Sequence, residues 1–182
     1  MEYLRLLESP KFDLTIKRLC YQIIENHNDF ERTAILGLQP RGIHLSGRIV
    51  QELKKILPNT KILHGLLDNT FYRDDFRRSE NLLIASPTEI EFQIENKSVI
   101  LMDDVLYTGR TVRASLDALL AFGRPSKVEL LVLVDRRFSR DLPIEPNYIG
   151  IQVDSRANQR VKVSWKEADE EDSIVLITEN NE

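Results

Sequence analysis

The chain has 182 residues, of which 42% are hydrophobic and 30% charged, enough for one domain with a real apolar core and no need of disulfide or metal staples. Its 25 Lys and Arg against 29 Asp and Glu give a net charge of −4, which excludes a surface attractive to nucleic acid all round, though not a local basic patch. Cys20 is the only cysteine, so no intrachain disulfide forms, and its apolar neighbours at helical spacing mark a buried, inert thiol. His27, His44 and His64 are scattered, without zinc-type spacing. Met1–Arg5 does not read as a secretory leader, and no apolar run approaches the ~20 residues of a membrane span. The expectation is a cytoplasmic protein with no membrane partner.

Phe12, Ile16, Leu19, Cys20, Ile23 and Ile24 predict an amphipathic helix over 11–28. Thr33–Leu38 is a short apolar run closed by Gln39-Pro40-Arg41-Gly42, a strand and a turn. Ile43, Ile49, Val50, Leu53, Ile56 and Leu57 define a second helix, ended by Pro58-Asn59. Lys61–Leu67 predicts another strand, and 68–89 fits no period, the mark of a long loop that is functional or disordered. Ser98–Met102 reads as a strand buried on both faces. Thr111–Phe122 is a helix stopped by Gly123-Arg124-Pro125, and Lys127–Val134 a further strand. Short strands are expected at Tyr148–Val153, Val161–Trp165 and Ile174–Thr178. Strand and helix alternate from 33 to 134, which implies βαβ units, right-handed crossovers and a mostly parallel sheet.

In such α/β sheets, ligands bind beyond the carboxyl ends of the strands. Three polar clusters fall there: 37–42, 103–111 and 135–137. The most informative string is Val99-Ile100-Leu101-Met102-Asp103-Asp104-Val105-Leu106-Tyr107-Thr108-Gly109-Arg110-Thr111. Adjacent carboxylates at a strand end can accept hydrogen bonds from vicinal hydroxyls. The following loop offers hydroxyls and free backbone N–H groups at a helix start, which suits a phosphate dianion. A diol site beside a phosphate site describes a ribose 5-phosphate. Read alone, the acidic pair is more simply a structural pair neutralised by Arg110 or Arg113; the whole string favours the ligand.

This string resembles the 5-phosphoribosyl-1-pyrophosphate (PRPP) motif of the type I phosphoribosyltransferases. With Pro40-Arg41-Gly42, Tyr72-Arg73-Asp74-Asp75, Val134-Asp135-Arg136, Leu142-Pro143-Ile144 and Tyr148-Ile149-Gly150, it is most similar to the family of pyrimidine operon regulators with uracil phosphoribosyltransferase activity. The resemblance spans roughly residues 12–178. It implies a single domain over 1–182: a core over about 11–140, a central sheet flanked by helices, and a small hood of short strands over 141–182 with help from the N-terminus. It implies transfer from PRPP to uracil, giving UMP and pyrophosphate with Mg²⁺. Asp103, Asp104, Tyr72 and Arg73 would serve catalysis, and Asp103 through Thr111 (Val105, Leu106, Tyr107, Thr108, Gly109 and Arg110 between) would hold the ribose 5-phosphate. Pro40, Arg41, Gly42, Asp135 and Arg136 would face pyrophosphate, with no metal ligand identified. A homodimer or larger assembly is implied, with the apolar helix edge Phe12, Ile16, Tyr21 as slight support.

The chain departs from the family in one stretch. Asp135-Arg136-Arg137-Phe138-Ser139-Arg140-Asp141-Leu142-Pro143-Ile144-Glu145 is one residue longer than usual, lacks a His and carries Glu145 in place of Arg. Pro40 stands where Thr is usual. The basic positions belong to the family's RNA-binding face, so RNA binding is expected to be weak, with Lys17, Arg18, Arg137 and Arg140 as the cations that remain. Two other readings stay open: a PRPP- or UMP-sensing RNA-binding regulator with weak catalysis, and transfer to another base such as a purine.

Overall fold

The computed structural model describes residues 2–28, 30–74 and 85–179. Eight strands and four helices follow in chain order: β1 (Glu2–Glu8), α1 (Lys11–Asn26), β2 (Thr33–Leu38), α2 (Gly42–Ile56), β3 (Leu63–Leu67), β4 (Ser98–Leu106), α3 (Arg110–Leu119), β5 (Lys127–Arg137), β6 (Tyr148–Asp154), β7 (Gln159–Ser164), α4 (Lys166–Asp169) and β8 (Ser173–Thr178). Five strands form one sheet in the order β3-β2-β4-β5-β6, every pair parallel. Three form a separate antiparallel sheet in the order β1-β8-β7, referred to below as the hood.

The apolar patterns account for this arrangement. All six residues of β2 are buried, as are Val99, Ile100, Leu101 and Met102 of β4, because helices cover both faces of the parallel sheet. Phe12, Ile16, Leu19, Ile23 of α1 and Leu45, Ile49, Leu53 of α2 fill one side with Ile35, Ile100 and Met102. Val112, Ala118 and Leu119 of α3 fill the other with Leu36, Leu101 and Val132. Cys20 lies fully buried, and burial pushes its thiol up to about 12.

Two features differ from the sequence reading. Tyr148–Asp154, expected in the hood, is the outer strand of the main sheet, paired with β5 through Leu131↔Tyr148 to Arg137↔Asp154. The N-terminal part of the hood is Glu2–Glu8, a strand whose exposed pattern hides it from periodicity, since only Leu7 is buried. The apolar edge offered for self-association is mostly interior: Phe12 and Ile16 are buried, and Tyr21 alone is exposed. Of the long segment 68–89, Thr70–Tyr72 forms a 3-10 turn and Glu89 bridges to Leu66; residues 75–84 lie outside the described residues.

Trp165, at the end of β7, fixes the hood to the main body. It is fully buried, packs edge-on to Phe12 at 5.3 Å and lies under the Arg48 guanidinium at 5.2 Å. Arg48 in turn grips Glu167 at 2.7 Å and Asp172 at 2.6 Å. Trp165→Ala should cost about 3–5 kcal/mol of stability, the range for a buried Trp. Urea unfolding followed by circular dichroism checks this, since the substitution removes the only tryptophan. A loss under ~1 kcal/mol would show that the hood does not depend on this anchor.

Candidate active site

β4 runs past its apolar half and carries Asp103 and Asp104 within its last turn of pairing, since Asp103↔Val132 and Leu106↔Asp135 remain in register. Successive strand residues point to opposite faces, and the two carboxylates do so. Asp103 lines a cavity of about 600 Å³ with Arg73, Asp74 and the run Val105–Val112. Asp104, 9% exposed, turns to the start of α2 and receives the Arg41 Nε at 3.3 Å. Arg110 and Arg113, the cations expected to neutralise the pair, do not. Both reach Asp74 instead, at 2.6 and 3.4 Å, and Arg110 also pairs with Asp141 at 3.0 Å.

The electrostatics follow from that placement. Burial, joined by repulsion from Asp104, holds the Asp103 carboxyl well above the usual range, with Arg73 opposing. Burial also raises Asp104, and Arg41 pulls it part of the way back. Two adjacent acids whose values are raised in a cleft mark a functional-site candidate.

Past β4, Gly109 has φ +90, a left-handed conformation that favours glycine. It caps α3, whose first N–H groups lack helical partners. A side chain there would also meet Ile144 Cδ1 at 3.2 Å. Behind the loop, Thr108 O accepts the Asp141 and Leu142 N–H groups at 3.0 and 3.3 Å. Tyr107 is partly exposed, and the Arg136 guanidinium lies 3.8 Å above its ring centroid.

The β2–α2 turn reaches the same end of the sheet. Gly42 is required there by close approach, since an added Cβ would stand 2.3 Å from Met102 O. Two amides of this turn are unavailable to a ligand: Gln39 N–H donates to Leu67 O at 3.0 Å, and Pro40 has none. Arg41 also donates to Asp169 at 2.6 Å and to Val163 O at 2.7 Å, both in the hood region. Against the effect of burial, the carboxylates of Asp169 and Asp104 hold its guanidinium protonated.

The structure therefore gathers Arg73, Asp103 and Val105–Thr111 around one cavity, with Arg41 paired to Asp104 and Gly42 against the β4 backbone at Met102 and Asp103; Pro40 lies in the same turn. Tyr72, half-exposed on its 3-10 turn, is not among the lining residues. Asp135 and Arg136 separate. Arg136, 5% exposed, reaches Ser155 Oγ at 2.9 Å and Gln159 O at 2.7 Å. Asp135 pairs with Arg140 and receives Gln152 Nε2 at 3.4 Å. Their adjacency in sequence suggested one role; strand alternation gives them two. Sequence reasoning missed Asp74, Asp141 and Asp169, which lie on irregular or short segments where no period marks a functional face. Among the described residues, no group of three or more His, Cys, Asp or Glu could hold a metal ion, and no helix is long and apolar enough to cross a membrane.

Residues 2–168 match the family described as "Phosphoribosyl transferase domain". The chain is 41% identical over 175 residues to the "Bifunctional protein PyrR" of Elusimicrobium minutum, covering 96% of this chain and 97% of the relative. It is 42% identical over 172 residues to the protein of the same name from Desulfosudis oleivorans, covering 94% of each. Among solved structures it resembles a hypoxanthine phosphoribosyltransferase from Staphylococcus aureus, with a TM-score of 0.70, 17% identity, and 97% and 92% of the two chains covered. At that identity the likeness shows the fold. The cavity at the end of β4, the type I architecture and these relatives agree: the chain belongs to the phosphoribosyltransferase family and, within it, to the PyrR proteins.

Proposed function

We propose that this chain transfers the 5-phosphoribosyl group of PRPP to N1 of uracil, forming UMP and releasing pyrophosphate. The observation that carries the reading is the juxtaposition of Asp103 with the loop Val105–Thr111 around one cavity of about 600 Å³, with Asp104 next to it in the strand and paired with Arg41. A diol receptor and a phosphate receptor there are a few residues apart, as a ribose 5-phosphate requires. The choice of uracil rests on the PyrR relatives. The solved phosphoribosyltransferases that act on hypoxanthine share the fold and too little sequence to choose a base.

In this reading the loop and the start of α3 bind the 5-phosphate through backbone N–H groups and the Thr108 and Thr111 hydroxyls. That remote grip orients C1. Asp103 and Asp104 accept hydrogen bonds from the ribose hydroxyls, and their negative charge favours the oxocarbenium-like sugar that forms as the C1–O bond to pyrophosphate breaks. Arg41 and Gly42, at the start of α2, face the departing pyrophosphate. Arg73 enters the cavity beside Asp103 and supplies a cation near the reacting centre, while Tyr72 adjoins it at the rim. The carboxylate pair fits Mg²⁺, which takes one or two carboxylates plus substrate phosphate oxygens rather than an all-protein cage. When bound, it would screen charge on the leaving group. The protein supplies no nucleophile; it binds, orients and excludes water.

The RNA-binding alternative loses support at each cation left to it. Arg137 is held by Asp154 at 2.6 Å, Arg140 by Asp135, and Lys17 faces Glu52 at 3.9 Å. Arg18 donates to the carbonyls of Ile149 and Gly150 in β6. Binding to a pyrimidine-operon leader RNA should be weak and insensitive to UMP in a filter-binding assay at ~0.15 M salt. Tight, UMP-stimulated and sequence-selective binding would restore the regulatory reading. A homodimer or larger assembly is also part of the proposal; it rests on family membership, and light scattering at micromolar concentration tests it.

A panel of PRPP with each nucleobase, read by pyrophosphate release, tests the reaction itself. Turnover with uracil is expected, and turnover confined to a purine would overturn the assignment. The acidic pair makes a second test with an opposite sign on stability. A carboxyl raised in the folded chain binds more protons folded than unfolded. Stability then falls as pH climbs above the ordinary value of about 4 and through the raised one. Asp103→Asn should therefore flatten that slope and raise Tm at pH 7 by about 2–4 °C, the shift that ~1 kcal/mol gives in a chain of this size. The same substitution should lower transfer about 10²-fold or more. A variant that is both less stable and fully active would remove Asp103 from the site.

A further inference from the structure

The sequence presents Arg140 as a surface cation, and the structure places it behind the loop that follows β4. Its side chain is 22% exposed and surrounded by acceptors. The guanidinium donates to Leu106 O at 3.4 Å, Arg136 O at 2.9 Å and Ile144 O at 3.1 Å, and also to Tyr107 O. Its remaining partner is the carboxylate of Asp135, which is 5% exposed. A guanidinium has five N–H donors in a rigid fork, and here they meet carbonyls from three chain segments. The next two carbonyls are held as well: Thr108 O by Asp141 and Leu142 N–H groups, and Gly109 O by Arg113 N–H at 3.0 Å.

That pattern has a geometric consequence. In a trans peptide the C=O and the N–H that follows it point in opposite directions. With the carbonyls of Leu106, Tyr107 and Thr108 drawn to protein partners behind the loop, the amides that follow them, those of Tyr107, Thr108 and Gly109, are directed to the other side, while the Arg110 N–H meets Thr108 Oγ1 at 3.5 Å and Gly109 O is held within α3. These residues line the cavity. Asp135 makes the arrangement tolerable, because a guanidinium this enclosed needs a compensating charge. Tyr107 is then gripped twice: its carbonyl by Arg140, and its ring by Arg136 at 3.8 Å.

We propose that Arg140, anchored by Asp135, is a positioning residue that sets the orientation of the phosphate-binding amides without touching the ligand. The inference rests on reading this loop as the 5-phosphate site. A lysine cannot take the role fully, because a single ammonium cannot span acceptors so far apart.

The test uses the full chain and four variants: Arg140→Met, Arg140→Lys, Asp135→Asn and Asp135→Glu. Calorimetric titration with PRPP and with ribose 5-phosphate is paired with steady-state kinetics and a melting curve. Arg140→Met should weaken both ligands on the order of 10-fold, the effect of losing a charge-assisted bond that orders several donors. KM for PRPP should rise in parallel, while kcat at saturation stays within about threefold. Arg140→Lys and Asp135→Asn should fall between it and wild type, with Asp135→Glu recovering part of the loss. If Arg140→Met does not fold, these milder variants carry the same comparison. Lower Tm with wild-type affinity for ribose 5-phosphate would overturn the inference, leaving Arg140 a structural brace; so would a fall in kcat with KM unchanged. Failure of the wild-type chain to bind either ligand would overturn the phosphate-site reading and this inference together, which separates the two failures.

Discussion

Everything at the candidate site depends on two like charges placed side by side where a buried strand ends. Asp103 and Asp104 continue β4, whose preceding residues are fully buried between two helical layers. Nothing in the strand's own chemistry favours acids there: burial raises both carboxyls, and repulsion from Asp104 raises Asp103 further. Asp104 is paired with Arg41, and Asp103 shares its cavity with Arg73, which only partly opposes the effect of burial. A fold tolerates such a cost where a partner from solution relieves it, and a sugar diol with its associated cation is such a partner.

The opposite end of the same sheet shows what a purely structural solution looks like. Glu129 of β5 is 4% exposed, as buried as any acid among the described residues. Burial would raise it, yet Lys127 at 2.7 Å and His27 at 2.6 Å outweigh that and bring it below the usual value. His27 is completed by Thr33 at 3.1 Å. Both ends thus bury carboxylates on neighbouring strands. One end is closed by its own lysine, histidine and hydroxyl, and the other is left open to a cavity. That asymmetry agrees with the rule that α/β sheets bind ligands at the carboxyl ends of their strands.

The parallel core was legible because its strands are continuous apolar runs and its helices carry 3.6-residue stripes. Thr33–Leu38 is found with the bounds the sequence predicts. The Asp103–Thr111 string was legible because its chemistry is local: a strand end, a glycine turn and a helix start in one stretch. The hood was less so. β1 exposes most of its side chains, and its identity as a strand comes from β8, far away in sequence. Arg140 was misread for a related reason. Its partners are main-chain carbonyls brought together from 106–107, 136 and 144, and no residue type advertises a carbonyl. Asp135 and Arg136 illustrate the converse: they look like one site in sequence and act on opposite faces because a strand alternates.

Arg41 ties these levels together. It stands at the first turn of α2, where Gly42 lets the helix approach Met102 O. It meets Asp104 on β4 and Asp169 beyond β7. Asp169 also accepts the Trp165 N–H at 3.0 Å, so the same carboxylate holds both the site's cation and the backbone beside the hood's main anchor. Arg41 cannot turn fully toward an incoming anion without loosening either the compensation of Asp104 or the link to Asp169. Charge at the sugar end, charge at the leaving-group end and the seat of the hood are thus coupled through one guanidinium. Residues from α2, β4 and the hood meet there because each element ends at the same edge of the sheet, and that shared edge is what the topology provides.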